Sequence, residues 1–219
     1  MNGRPDPGAT DSVRDLVDDF VDGYLAEDDL LRAARDRATA LGSTPIRAAG
    51  GAALCFLAAT IGARAVVEVG TGTGVSGLWL LRGMADDGVL TSIDVDPESQ
   101  RAARTAFVDA GYGPARLRLI NGMGLEVLPR LRDGAYDLVF VDAQPVEYPH
   151  HLEEAIRLLR PGGVVVLDDV LRVGRVGDAA PDDPATLAVR EVAQQVREDE
   201  RLVPVLLPVG GGLLCALRT

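Results

Sequence analysis

The chain has 219 residues, 47% of them hydrophobic, and carries a formal net charge of -11. This length and apolar content predict one globular α/β domain and exclude a disordered chain. The excess of acidic residues argues against a nucleic-acid-binding protein, which needs a basic face. Lysine is absent, so every cationic side chain other than histidine is an arginine.

The N-terminal segment and the apolar runs of the chain predict its cellular location. The first dozen residues are polar without an apolar signal core, and no apolar run is long enough to span a bilayer. Cys55 and Cys215 are too few for a disulfide framework. We therefore expect a cytoplasmic protein with no membrane partner. Residues 1–11 are predicted to be a disordered tail before a single domain over 12–219.

Three helices are predicted before the first strand. Apolar residues recur at helical spacing over Val13–Leu25 and again over Asp28–Leu41. A loop around Ser43-Thr44-Pro45 precedes a third helix, which contains Leu54 and Ile61. Residues 12–62 are thus predicted to form a helical extension ahead of the core, 63–219.

Strands and helices then alternate. The predicted strands are Ala65–Val69, Val89–Val95, Arg116–Ile120, Leu138–Asp142 and Val164–Asp168. The predicted helices are Val75–Met84, Pro97–Ala110, Leu125–Leu131, His150–Leu159 and Ala185–Asp199. Pro161-Gly162-Gly163 is predicted to stop a helix before the fifth strand. The alternation indicates a mostly parallel sheet, and Val203–Pro208 with Leu213–Leu217 indicates a closing hairpin.

The turn after the first strand predicts a nucleotide-like cofactor. A β-branched run stops at Gly70, Gly72 and Gly74, and a helical pattern follows. Such a turn admits a ligand to bare backbone, with helix amides aimed at an anionic group. The segment 72–77 matches G-x-G-x-x-G, and Asp94 ends the second strand, where a carboxylate can bind ribose hydroxyls. These two features fit NAD and S-adenosylmethionine equally well.

Three details favour S-adenosylmethionine. The glycines begin directly after the strand, so the G-x-G-x-x-G register is displaced two residues into the turn. Glu68 lies inside the strand, where a buried carboxylate needs partners, and we expect it to accept hydrogen bonds from turn amides or a ligand amine. The C-terminal hairpin is foreign to the usual dinucleotide-binding sheet.

On these grounds the chain resembles the class I S-adenosylmethionine-dependent methyltransferases, specifically the small actinobacterial members of the catechol and caffeoyl-CoA O-methyltransferase family. The segments that carry the resemblance are Glu68–Gly74, Ile93–Glu98, Gly122–Pro129, Tyr136–Ala143 and Leu158–Gly163. The resemblance implies an α/β, Rossmann-like fold with a seven-stranded, mostly parallel sheet and helices on both faces. It implies a homodimer that transfers a methyl group to a hydroxyl of a small catechol-like or phenolic substrate.

The resemblance also implies roles for individual residues. Those that would hold the methionine part are Glu68, Gly70, Thr71, Gly72 and Ser76. Those that would hold the ribose and adenine are Asp94, Val95, Gly122, Met123 and Gly124, with Ile46 closing over the cofactor. Asp142 would stand beside both the cofactor and the substrate, and the substrate would also contact Tyr148 and Arg172. Arg172 falls where the family often has a Trp, and we expect it to meet an anionic group.

Three carboxylates predict a divalent cation site. Asp142 ends the fourth predicted strand, and Asp168 and Asp169 end the fifth. Carboxyl ends of parallel strands share one edge of a sheet, so these side chains should converge. Close carboxylates repel unless a cation neutralises them, and oxygen donors suit Mg2+, Mn2+ or Ca2+. The family has Asn at the position of Asp169, which makes this site more negative.

The sequence departs from the family at its expected catalytic base. The family usually reads Asp-Ala-Asp-Lys after the fourth strand, whereas this chain reads Asp142-Ala143-Gln144-Pro145. Either a bound metal suffices to ionise the substrate, or His150 or His151 acts as the base. Two alternatives stay open at this point, namely an NAD-dependent oxidoreductase and a cofactor-binding protein with impaired catalysis.

Overall fold

A computed structural model describes residues 16–171 and 183–219. Its helices are α1 (16–23), α2 (Asp29–Ala40), α3 (Ala48–Thr60), α4 (Val75–Gly83), α5 (Pro97–Asp109), α6 (Gly124–Val127), α7 (Tyr148–Leu158) and α8 (Pro184–Glu198). Its strands are β1 (Ala65–Val69), β2 (Val89–Asp94), β3 (Leu117–Asn121), β4 (Tyr136–Val141), β5 (Leu159–Leu167), β6 (Leu202–Leu207) and β7 (Leu213–Arg218). The predicted tail, 1–11, lies outside the described residues.

The seven strands form one sheet in the order β3-β2-β1-β4-β5-β7-β6. Strands β1 to β5 pair in parallel, whereas β7 runs antiparallel to both β5 and β6. The predicted mixed sheet with its closing hairpin is therefore confirmed. The strand order reverses between β1 and β4, and ligands of open α/β sheets bind in the crevice beyond the carboxyl ends at such a point.

Helices cover both faces of the sheet because side chains alternate along the strands. On β4, Leu138 and Phe140 pack into one core with α2 to α5, whereas Val139 and Val141 pack into the other with α7 and α8. These four side chains are fully buried. The near-continuous apolar run of β4 is typical of a parallel strand that is covered on both faces.

The segment Pro161-Gly162-Gly163 was predicted to stop a helix. It lies instead within β5. Strand β5 begins at Leu159, opposite Tyr136, and its next partner pair is Val164 with Leu138. The chain therefore makes an irregular excursion between these two pairs. Pro161 has no N–H to donate, and Gly162 has a φ of 78°, so this segment cannot continue a regular ladder.

The N-terminal helices α2 and α3 pack against α4 and α5. Helix α2 buries Leu31, Ala34 and Ala38, and the Thr73 hydroxyl donates to the carbonyl of Ala34 at 2.8 Å. This bond ties α2 to the glycine turn after β1. None of the helices in the described part of the chain has the length and apolar content that a membrane span requires.

Candidate functional site

The turn after β1 depends on three glycines. Gly70, Gly72 and Gly74 have φ angles of 97°, 48° and 91°, which ordinary side chains rarely adopt. A Cβ on Gly70 would lie 2.0 Å from the carbonyl oxygen of Asp142. Glycine therefore lets the ends of β1 and β4 approach closely, and α4 begins at Val75 directly after the turn.

Glu68 is fully buried beneath this turn. Its carboxylate accepts hydrogen bonds from the hydroxyls of Ser76 at 2.5 Å and Ser92 at 2.6 Å. Because Ser92 gives its proton to Glu68, the hydroxyl of Thr71, 2.7 Å away, is the donor in the Thr71–Ser92 bond. The donors to Glu68 are thus two serine hydroxyls and not the turn amides that the sequence suggested. Burial raises the pKa of Glu68 to about 7, against the effect of its two serine donors.

Asp94 holds the turn from the neighbouring strand. Its carboxylate accepts from the backbone N–H of Gly72 at 2.8 Å and of Asp96 at 2.9 Å. Beside it, Val95 and Met123 are 64% and 48% exposed. Two apolar side chains that stand in solvent at the carboxyl ends of β2 and β3 are suited to contact a planar ligand.

His151, the second of the two histidines, is buried next to Gly124. His151 has no exposed surface, and its Nδ1 lies 3.1 Å from the carbonyl oxygen of Glu147. A carbonyl only accepts, so Nδ1 carries the proton. The other nitrogen, Nε2, has no hydrogen-bond partner, and a Cβ on Gly124 would lie 2.8 Å from it. Burial lowers the pKa of His151, so it is a neutral packing residue.

The three predicted aspartates line one cleft. Its walls are the loop Thr44–Arg47 on one side, Asp142, Asp168 and Asp169 on the other, and Gly211 from the turn between β6 and β7. Asp142 is half-buried, and Asp168 is 5% exposed. Burial, and then the negative charges of Asp169, Glu68 and Asp94, hold the pKa of Asp142 well above its usual range.

Backbone geometry explains how Asp168 and Asp169 reach this cleft. Asp169 has a φ of 60°, the only positive value for a residue other than glycine in the described chain. Its amide donates to the Asp168 carboxylate at 2.7 Å. A Cβ on Gly211 would lie 1.7 Å from Asp169 Oδ1, so glycine is required where the hairpin turn passes this carboxylate. The strained backbone is typical of a functional site.

The donor chemistry of this cleft fits a hard divalent cation, because all three donors are carboxylates. The side chains are nevertheless not gathered around one point. Across residues 16–171 and 183–219, no group of three or more Asp, Glu, His or Cys side chains is arranged so that it could hold a metal ion. The predicted ligands thus share a cleft without forming a closed coordination shell.

Three other predicted site residues are placed differently. Tyr148 is fully buried, and its hydroxyl donates to the backbone carbonyl of Asp168 at 2.8 Å, so it supports the cleft from below and cannot contact a substrate there. His150 is exposed on α7 and is not among the residues that line the cleft. Arg172 lies outside the described residues.

Sequence reasoning missed four of the cleft residues, of which Thr44 and Pro45 were predicted only as part of a loop. Arg47 and Gly211 both line the cleft, and neither belongs to a recognisable motif. The glycine run Gly210-Gly211-Gly212 was a signal of a tight turn, but its contact with Asp169 depends on the packing of the hairpin.

A larger cavity, about 580 Å3, lies between α7 and α8. Two of its three arginines form ion pairs, Arg157 with Glu154 and Arg201 with Asp199, and Arg218 donates to the backbone carbonyl of Leu159.

Comparison with known proteins identifies the family to which the chain belongs. A family model described as O-methyltransferase matches residues 24–219. A relative from Mycolicibacterium vanbaalenii, named as an O-methyltransferase without a stated substrate, is 53% identical over 216 residues, which cover 99% of this chain and 96% of the relative. None of these matches supports the alternative of an NAD-dependent oxidoreductase.

Two solved structures have the same fold. The O-methyltransferase TomG from Streptomyces achromogenes, which is involved in tomaymycin synthesis and was solved with S-adenosylmethionine, has a TM-score of 0.84 and 29% identity, covering 93% of this chain and 96% of its own. An O-methyltransferase from Bacillus cereus, solved with S-adenosylhomocysteine, has a TM-score of 0.83 and 26% identity, covering 93% and 97%.

Proposed function

Because the chain belongs to the O-methyltransferase family, we propose that it transfers the methyl group of S-adenosylmethionine to a hydroxyl of a small catechol-like substrate. The observation that carries this proposal is the adjacency of two features. Glu68 lies buried under the glycine turn, and Asp142 follows the next strand, where its backbone carbonyl touches Gly70. A cofactor on the turn would therefore lie beside the aspartate-lined cleft.

Glu68, together with the turn, would bind the methionine part of the cofactor. An ammonium group is the natural partner of a buried carboxylate, because the ion pair relieves the cost of burying the charge. Asp94 would accept hydrogen bonds from the ribose, since two N–H donors leave further lone pairs on its carboxylate. Val95 and Met123 would contact the adenine, beside Gly122 and Gly124.

The chemical step is a displacement at the methyl carbon. A substrate oxygen forms the new O–C bond while the C–S bond breaks, and its electron pair returns to sulfur to give S-adenosylhomocysteine. The hydroxyl proton needs an acceptor, and we assign this role to Asp142. Asp142 can accept this proton as an ionised carboxylate, because a cation in the cleft would relieve the repulsion that raises the pKa of Asp142 and would lower the pKa of the substrate hydroxyl. Positioning of the two reactants contributes much of the remaining acceleration.

Asp142, Asp168 and Asp169 would hold a divalent cation in this proposal, and Mg2+, Mn2+ or Ca2+ match their oxygen donors. When bound, the cation would stabilise the substrate oxygen as a phenolate, whose parent phenol has a pKa of about 10. Support for this part comes from the shared cleft and from the mutual repulsion that a cation would relieve.

We also propose a homodimer. Large apolar side chains are exposed in the first helix, just after it and in α3, namely Phe20, Tyr24 and Phe56, which are 73%, 76% and 70% exposed. A partner subunit that covers these side chains would remove their apolar surface from water.

The cofactor is tested by calorimetric titration of the purified protein with S-adenosylhomocysteine and, in parallel, with NADH. We expect saturable binding of S-adenosylhomocysteine and none of NADH. Glu68→Gln should weaken the first titration, because a neutral amide replaces the carboxylate that faces the ligand amine. Binding of NADH alone would overturn the proposed function.

A further inference from the structure

The aspartate-lined cleft also contains an arginine. Arg47 follows Ile46 in the loop before α3, in the wall that faces Asp142, Asp168 and Asp169. It is the only basic residue among the described residues that line this cleft. A cleft with carboxylates on one wall and a guanidinium on the other is suited to a ligand with two different ends.

The first helix forms an ion pair with Arg47. Its Nε lies 2.9 Å from Oδ2 of Asp22, and Oδ1 of the same aspartate accepts from the backbone N–H of Ala49 at 3.0 Å. Asp22 thus contacts both the start of α3 and Arg47, whose Nε is the nitrogen closest to its carboxylate. The two Nη nitrogens of Arg47 make no hydrogen bond to any described residue. The side chain is 45% exposed, so these donors are open to a ligand.

The hairpin turn lies against the Cβ end of Arg47 and against the carboxylate of Asp169. A Cβ on Gly210 would lie 3.6 Å from Cβ of Arg47, and a Cβ on Gly211, the next residue, would lie 1.7 Å from Oδ1 of Asp169. Consecutive glycines therefore touch the arginine and the aspartate.

We propose that Arg47 binds a carboxylate on the substrate, so that the enzyme prefers acidic catechols over neutral ones. This inference rests on the proposed function and names the substrate class for it. The vicinal hydroxyls would face the aspartates, and the ring carboxylate would face the guanidinium, which binds carboxylates through two parallel hydrogen bonds. An acidic substrate needs such a cation, because the protein carries a net charge of -11 and three aspartates line the cleft.

The competing explanation is structural, with Arg47 serving only to attach the first helix through Asp22. Two variants separate these explanations. Arg47→Gln removes the guanidinium, whereas Asp22→Asn breaks the ion pair but leaves Arg47 in the cleft. The readout is the ratio of kcat/KM for 3,4-dihydroxybenzoate to kcat/KM for 4-methylcatechol, because a general loss of stability or activity lowers both values and leaves their ratio unchanged.

We expect Arg47→Gln to lower this ratio at least about tenfold, mainly through KM for the acid, as is usual when one partner of a charged pair is removed. Asp22→Asn should keep the ratio within about twofold of the wild type, and Arg47→Lys should retain part of it. An unchanged ratio in Arg47→Gln, or an equal fall in Asp22→Asn, would overturn the inference while leaving the proposed function intact.

A binding measurement decides the matter even without turnover. Protein saturated with S-adenosylhomocysteine is titrated with 3,4-dihydroxybenzoate by calorimetry. We expect binding to the wild type and at least about tenfold weaker binding to Arg47→Gln. Equal affinity in both proteins, or no binding to the wild type, would overturn the role of Arg47. Absence of methyl transfer to both catechols despite binding would instead count against the proposed function.

Discussion

Glu68 is the residue on which we expect the proposed cofactor binding to depend most. Its carboxylate lies in a fully buried position with two serine hydroxyls as donors, and its pKa is raised to about 7, chiefly by burial. Below that pH the folded protein therefore keeps Glu68 protonated, and above it the charge is present. A cofactor that brings an ammonium group to this site binds the charged form and displaces the proton.

The affinity for S-adenosylhomocysteine should therefore depend on pH in a defined direction. A pKa near 7 leaves roughly a tenth of Glu68 ionised at pH 6 and about nine tenths at pH 8, so the affinity should rise about tenfold between them. Calorimetric titrations at pH 6, 7 and 8 measure this. Glu68→Gln should bind weakly with little pH dependence. In Ser92→Ala the midpoint should move upward, because the carboxylate loses a donor. A wild-type affinity that is flat from pH 6 to 8 would contradict this assignment.

At the scale of elements, the close contact of α3 with α4 supports the turn. Gly83, near the end of α4, faces α3, and a Cβ there would lie 2.1 Å from the carbonyl oxygen of Cys55. Gly51 of α3 likewise faces α4, since a Cβ on Gly51 would lie 2.2 Å from Cδ1 of Trp79. Since α4 begins at the end of the glycine turn, its position against α3 also fixes where the turn lies.

Gly83→Ala should therefore destabilise the fold by about 1–3 kcal/mol, the usual cost of overpacking a tight contact. The matched control is Gly113→Ala, because Gly113 has a φ of -84° and nothing within 4 Å of an added Cβ. The control should stay within about 0.5 kcal/mol of the wild type. Urea denaturation of both variants gives the free energies of unfolding. Equal stability of the two variants would show that α3 and α4 can separate without cost.

The sequence predicted these elements well wherever a period or a turn residue defines them. The bounds of β1 agree in full, and the other helices and strands within the described residues were placed correctly except at their ends. The largest difference is β5, which begins at Leu159 rather than Val164. Proline and glycines usually break an element, but here they only disturb the pairing with β4, because the tertiary contact with Tyr136 re-forms the ladder before them.

At the scale of the whole molecule, topology brings the site together. The strand order places the ends of β1, β2, β4 and β5 at one edge of the sheet, so Asp94, Asp142 and Asp168 could be assigned to that edge from the sequence. Side-chain direction could not, because it depends on packing. Tyr148 and His151 were expected near the reaction but lie in the core. Arg47 enters the cleft because the hairpin turn packs against its loop, a contact between distant parts of the chain.

The most direct test of the central claim is the mass of the product. The protein is incubated with methyl-labelled S-adenosylmethionine, Mg2+ and a catechol, and the mixture is analysed by mass spectrometry, with EDTA and Asp142→Asn as parallel controls. We predict one labelled methyl group on the catechol and an equal amount of S-adenosylhomocysteine, with much less of both in either control. Binding of S-adenosylmethionine without any methylated catechol, under Mg2+, Mn2+ or Ca2+ and with neutral and acidic catechols alike, would contradict the claim.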